Sequence, residues 1–200
     1  MAALARTARE RLARADRAAI AALPAWRTPR GIAVARVVSR MAEPASAGSL
    51  LAAAAVIAAR RGDWRAVGLT AVAVPGGVVA RWLLSEAIAR PRPPSVTWLD
   101  QPTGYSLPSR HTTIAALTAG ALVIATGTKG LPRRVVPFLA AACVGTSRVY
   151  LGVHWPSDVL AGWLFAAGWL GLAGGGNAGS GHPKAPALPP SRPPSHPPMR

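Results

Sequence analysis

Ser147-Arg148, His154 and Asp158 have the residue types and the spacing for phosphate chemistry. His154 and Asp158 are four residues apart with Pro156 between them near a helix start, so Asp158 falls one turn along. There it can accept a hydrogen bond from one imidazole nitrogen, which fixes the tautomer and leaves the other nitrogen as a nucleophile. Arg148 closes the preceding apolar run and offers a planar fork to phosphate oxygens. A second cluster is Pro108-Ser109-Arg110-His111. Ser109 is the expected N-cap of a helix whose free N–H groups and positive dipole end suit an oxyanion. His111, in its first turn, can give a proton to a leaving oxygen. The third cluster, Arg90-Pro91-Arg92-Pro93, supplies a second guanidinium in Arg92. With seven acids in 200 residues, no carboxylate cluster for Mg²⁺ is expected. The chemistry implied is metal-free and needs no cofactor. Taken singly, an Arg at a span end is usually a snorkelling anchor and a His at a helix start a satisfied polar residue. Three such groups at one face point to a site.

The elements that must position them are apolar helices. Half of the chain is apolar and 15% charged, with a net charge of +16. The arginines bracket apolar runs rather than alternate with aromatics, which argues for a membrane protein and against nucleic acid. Cys143 is the single cysteine, so no disulfide framework exists, and its apolar surroundings make it an expected core residue. Residues 1–30 read as a basic amphipathic segment: Leu4, Ala8, Leu12, Ala15, Ala19 and Leu23 form a weak stripe among arginines. No secretory signal is visible there. Residues 31–42 contain Arg36 and Arg40 and read as a poor first span or an interfacial helix. Better spans follow at 45–59, 66–89 (interrupted by Pro75-Gly76-Gly77), 111–128, 135–151 and 157–173. Residues 31–173 form the membrane-embedded domain, and 174–200 form a Gly/Pro-rich tail expected to be disordered, with His182 and His196 isolated in it. The fold expected is all-α, an integral-membrane bundle of five or six spans. Basic loops at 60–65 and 129–134 are expected on the cytoplasmic side. Loops 90–110 and 152–156 then share the outer face. Six crossings, with residues 31–42 as the first, would keep the Arg-rich N-terminus inside.

These motifs resemble the type 2 phosphatidic acid phosphatase superfamily, which also holds bacterial acid phosphatases and vanadium haloperoxidases. Its third motif, Ser-Arg, five residues, His, three residues, Asp, is complete as Ser147-Arg148, His154 and Asp158. Its second, Pro-Ser-Gly-His, is present with Arg110 for Gly. Its first keeps Arg92-Pro93, but the Lys position holds Ser85. The resemblance implies that His154 attacks phosphorus to form a phosphohistidine, Asp158 orients it, and His111 protonates the leaving group. Arg92, Arg148, Ser109 and backbone N–H groups would bind the phosphoryl oxygens. Arg110, Arg81 or Arg90 would replace the missing Lys charge. The expected activity is hydrolysis of a phosphomonoester or pyrophosphate on a membrane lipid, at the outer face of a bacterial plasma membrane. Candidate lipids are phosphatidic acid, phosphatidylglycerophosphate, a polyprenyl diphosphate and a polyprenyl-phosphoryl sugar phosphate. The alternative is a weakened or silent protein that binds phospholipid head groups. Haloperoxidase activity is a weaker third possibility, since those relatives are soluble.

Overall fold

The computed structural model of the protein describes residues 2–127 and 130–175. The Gly/Pro-rich tail beyond them lies outside the described residues. All regular structure among them is helical: α1 (Ala2–Trp26), α2 (Pro29–Arg40), α3 (Pro44–Arg60), α4 (Trp64–Gly68), α5 (Val74–Ile88), α6 (Arg110–Thr126), α7 (Leu131–Tyr150) and α8 (Pro156–Gly175).

Local chemistry sets the ends. Thr28 caps α2 by accepting from the Gly31 N–H, and Pro29 takes the first helical position, where a missing N–H is harmless. Asp63 caps α4 by accepting from the Ala66 N–H at 2.9 Å. The Pro75-Gly76-Gly77 interruption does not end the span. A π-helical turn, Leu69–Ala73, joins α4 to α5. The Trp169 indole N–H donates to the Ala73 carbonyl at 2.6 Å, supplying a partner at the irregularity. α5 stops at Ala89, whose φ of 52° turns the chain into Arg90.

α6 is the central helix and packs against α3, α5, α7 and α8. Small residues let the helices close on one another, as in the Ala54, Ala58, Ala66 and Ala125 cluster. Large apolar side chains such as Val72, Val136, Leu139, Leu164 and Leu172 point outward instead. That inverted distribution fits lipid as the surrounding solvent. Among the described residues two helical stretches, Trp64–Ile88 and Pro156–Gly174, are long and apolar enough to cross a membrane, and the α2–α3 pair, bent by 49°, counts as a third only if it is one broken span. The molecule is an all-α integral-membrane bundle.

From Glu43 onward the chain runs back and forth between two ends. Gly127 lies against the Arg61 guanidinium, so the α3–α4 and α6–α7 connections share one end. The three polar clusters share the other. Residues 31–42 do not form a span of their own; α2 passes as a span only together with α3. Thr28, just before α2, donates its N–H to the Tyr150 hydroxyl, and Ser39, near its end, receives Arg148. Both ends of α2 therefore sit by the last turn of α7. The N-terminal helix docks at that same end through Asp16. An N-terminus on the opposite face from the site is incompatible with this packing. The stripe in α1 is also corrected: Asp16, Ile20 and Leu23 are buried, whereas Leu12 is exposed. Cys143 is exposed rather than in the core.

Candidate active site

α7 ends at Tyr150 and α8 starts at Pro156, and the turn between them carries His154. Gly152 makes that turn at φ +74°, against the Thr97 carbonyl, where a side chain would collide. His154 and Asp158 are both essentially inaccessible to solvent. The His154 Nδ1 lies 3.4 Å from Asp158 Oδ2, and the same oxygen accepts the Trp155 N–H at 2.9 Å. On the other side of the ring, an Arg92 nitrogen lies 3.0 Å from His154 Nε2. A guanidinium can only donate, so Nε2 is unprotonated and the proton resides on Nδ1, toward Asp158. Burial, followed by the charges of Arg92 and Arg148, pulls the His154 pKa down to about 4 despite the hydrogen bond to Asp158. The imidazole is neutral at pH 7, with its lone pair on the nitrogen facing Arg92.

Arg92 is fixed by backbone carbonyls. It donates to Val153 at 2.8 Å, Gly104 at 2.9 Å, Thr103 at 2.8 Å and Tyr105 at 3.0 Å. Burial and the neighbouring charge of Arg148 lower its pKa to about 10, so it stays charged. Arg148 is almost fully buried, and its Nε has no hydrogen-bond partner among the described residues. Its Nη1 contacts Asp100 Oδ2 at 2.6 Å and the Ser39 hydroxyl. Burial alone would raise the Asp100 pKa, but the hydrogen bonds from Arg148 and the Gln101 N–H outweigh it and hold it low.

The second cluster joins the third motif through backbone. The Ser109 N–H donates to the Asp158 carbonyl at 3.1 Å. Gly162 of α8 lets the start of α6 approach, since a Cβ there would sit 3.2 Å from the Ser109 carbonyl. Ser109 occupies the N-cap position, but its hydroxyl does not cap the helix; it accepts from Thr112 at 3.0 Å. His111 is buried and meets Glu43 Oε1 at 3.2 Å through Nε2. Arg110 is half-buried beside it. The structure thus brings His154, Asp158, Arg92, Arg148, Ser109, Arg110 and His111 to one end of the bundle.

Sequence reasoning missed the partners: Glu43 on His111, Asp100 on Arg148 and Asp16 on the start of α8. One signal was available, namely that each of these acids stands alone in a basic or apolar neighbourhood. Of the three arginines considered for the missing charge, Arg81 is buried and reaches the Ser85 hydroxyl at 3.2 Å and the Pro108 carbonyl at 2.7 Å. Arg90 is committed to Asp158 and Asp16. Among the described residues no group of three or more His, Cys, Asp or Glu side chains converges as metal ligands. Chemically, the arrangement offers a neutral, oriented imidazole beside several cationic side chains in a water-poor site.

The chain is 34% identical over 116 residues to an undecaprenyl-diphosphatase of Sulfolobus acidocaldarius, spanning 53% of this chain and about half (52%) of that relative. It is 34% identical over 133 residues to a decaprenylphosphoryl-5-phosphoribose phosphatase of Mycolicibacterium smegmatis, covering 64% of this chain and 69% of that one. The crystal structure of a transmembrane PAP2-type phosphatidylglycerolphosphate phosphatase from Bacillus subtilis superposes with a TM-score of 0.63 at 27% identity, over 80% of this chain and 83% of the other. The sequence profile of the PAP2 superfamily matches residues 66–173, which hold all three polar clusters, and the chain belongs to that superfamily.

Proposed function

We propose that the protein is a metal-independent lipid phosphatase that releases phosphate from a phosphomonoester or pyrophosphate of a membrane lipid through a phosphohistidine. The observation that carries this proposal is the His154 ring, held between Asp158 and Arg92 with its free lone pair facing the guanidinium. A phosphoryl group entering there displaces that contact, and Arg92 then binds one of its oxygens. His154 Nε2 attacks phosphorus as the bond to the leaving oxygen breaks. His111 protonates that oxygen, with Glu43 fixing its ring. Arg148, Ser109 and the N–H groups at the start of α6 take the remaining oxygens, and developing charge is met by groups already in place. Water then attacks the phosphohistidine and gives a proton to His111, the P–N bond breaks, and phosphate leaves with both histidines restored.

Arg81 provides the charge that a Lys at position 85 would have given, because its guanidinium already reaches Ser85 and Pro108. Arg110 adds a weaker contribution. The family membership and the named activities of the relatives support a lipid phosphate or diphosphate as substrate. The basic loops at 60–65 and 129–134, away from the site, favour an outward-facing site in a bacterial plasma membrane, against the pull of the Arg-rich helix α1, which packs at the site end.

The test is phosphate release by the purified full-length protein in detergent, without added metal, from a panel of lipid phosphates and diphosphates. Acid-labile ³²P on the wild type and its loss in His154→Ala are the expected results. Release that persists in His154→Ala would overturn the mechanism. No release from any lipid, with head-group binding retained, would favour a silent head-group-binding protein instead.

A further inference from the structure

A second polar cavity, of about 570 Å³, opens beside the reaction centre between the end of α2 and the 98–101 loop. Its wall includes Asp100 and Glu43, the partners of Arg148 and His111, so it adjoins the reaction centre. The Asp100 carboxylate is offset by the Arg148 guanidinium, whereas Glu43 meets an imidazole and keeps a negative charge of its own. Two guanidiniums, Arg36 and Arg40, line the same cavity. Arg36 is anchored through Nε and Nη2 to the Leu99 carbonyl, at 3.2 and 2.9 Å, which fixes its position without neutralising its charge. Arg40 makes no ion pair among the described residues and is exposed. Two guanidiniums against one carboxylate that no cation offsets leave net positive charge in a cavity that adjoins the Arg148 and His111 side of the reaction centre. α2 carries exposed Val34 and Val37 as well as these arginines, the composition of a helix at a lipid interface.

We propose that this cavity is a binding subsite for a second anionic phosphate of the substrate, the one that lies between the scissile phosphate and the lipid tail. The proposal rests on the phosphatase reading and narrows it. Lipids whose terminal phosphate is linked through a glycerol or sugar to a phosphodiester are long enough to fill both sites. A lipid whose only phosphate is the scissile one leaves Arg36 and Arg40 unused. The subsite therefore selects against phosphatidic acid. Guanidinium–phosphate contacts made by an exposed pair change affinity by about three- to fivefold each.

The experiment compares phosphatidylglycerophosphate with phosphatidic acid of the same acyl chains in mixed micelles, for wild type, Arg36→Gln, Arg40→Gln and the double variant. The wild type is expected to prefer the diester-bearing lipid by kcat/KM. The double variant is expected to lose about tenfold or more on that lipid, mainly through KM, and less than about threefold on phosphatidic acid. Equal proportional losses on both lipids, or a wild type with no preference, overturn the subsite and leave the phosphatase reading standing. A wild type that releases phosphate from neither lipid, nor from any other lipid of the phosphate and diphosphate panel, overturns both.

Discussion

Arg90 donates to the Asp158 carboxylate at 2.6 Å, on the oxygen that His154 does not use. Its other nitrogen meets Asp16 of α1 at 2.8 Å, and Asp16 also accepts the Ser157 N–H at 3.0 Å and the Ser157 hydroxyl. The carboxylate that orients the nucleophile is therefore held from the far side by the N-terminal helix, a segment outside the matched residues 66–173.

Asp16→Asn weakens that hold while keeping the size of the side chain. Removing one partner of a buried charged pair typically costs about 3–5 kcal/mol, and the amide, which still hydrogen-bonds, should bring this to about 1–3 kcal/mol. The expected outcome is a lower Tm and a fall in kcat of about tenfold with KM for the lipid little changed, because the ring is mis-set while the phosphate groups remain. Thermal unfolding and steady-state kinetics on one preparation check it. A variant with wild-type kcat would mean that α1 does not position Asp158.

The His154 pKa, depressed to about 4, makes a prediction about pH. Nucleophilic attack needs the neutral ring, so the acid limb of kcat/KM should fall near pH 4 rather than near the ordinary imidazole value of about 6.5. Stability follows the same sign. The folded value lies below the unfolded one, so as pH falls the unfolded chain takes up the proton first. The contribution is complete above about pH 6.5 and is lost progressively as pH drops toward 4. A pH–rate profile with its acid limb at 6–7 would contradict the buried, neutral ring.

The elements carrying the site were legible in the sequence because their patterns are local. Asp158 four residues after His154, and Pro156 at the helix start, dictate their own geometry. The convergence of the three clusters followed from helix parity alone. What was illegible depends on tertiary packing. Nothing local says that Asp16 turns inward from a helix full of arginines, or that α2 begins and ends beside α7 instead of crossing on its own. Nor does local sequence foretell that Ser109 will give its hydroxyl to Thr112 once the chain makes a tight approach at Gly162. The hydroxyl pairing and the inward acid are choices made by the neighbours of those residues.

Arg81 should matter more than Arg110. Arg81 is buried and anchored, at 2.7 Å from the Pro108 carbonyl and 3.2 Å from Ser85, so its charge is fixed at low dielectric. Arg81→Ala is expected to reduce kcat/KM by about a hundredfold or more, and Arg110→Gly by about three- to tenfold, in proportion to how well each charge is held. Adding Ser85→Lys to Arg81→Ala should recover part of the loss, since a Lys ammonium from position 85 projects into the vacated space. Losses in the reverse order would assign the compensating charge to Arg110. Circular dichroism of each variant separates lost chemistry from lost folding.

The packing of α1 against α8 constrains topology independently of any charge rule. The Asp16–Ser157 contact puts α1 at the same end of the bundle as loop 90–110, while the Arg61–Gly127 contact lies at the other end. In a Cys143→Ala background, single cysteines replacing the exposed residues Arg9, Gln101 and Arg60 report on these ends. Impermeant maleimide added to intact cells should label positions 9 and 101 alike, and position 60 only after permeabilisation if the site faces outward. Inward orientation reverses all three together. Labelling of position 9 with position 60 instead of position 101 would show that the N-terminal helix leaves the site in the membrane. The Asp16–Arg90–Asp158 bridge could not then operate, and the Asp16→Asn variant should keep wild-type kcat, so the two experiments check each other.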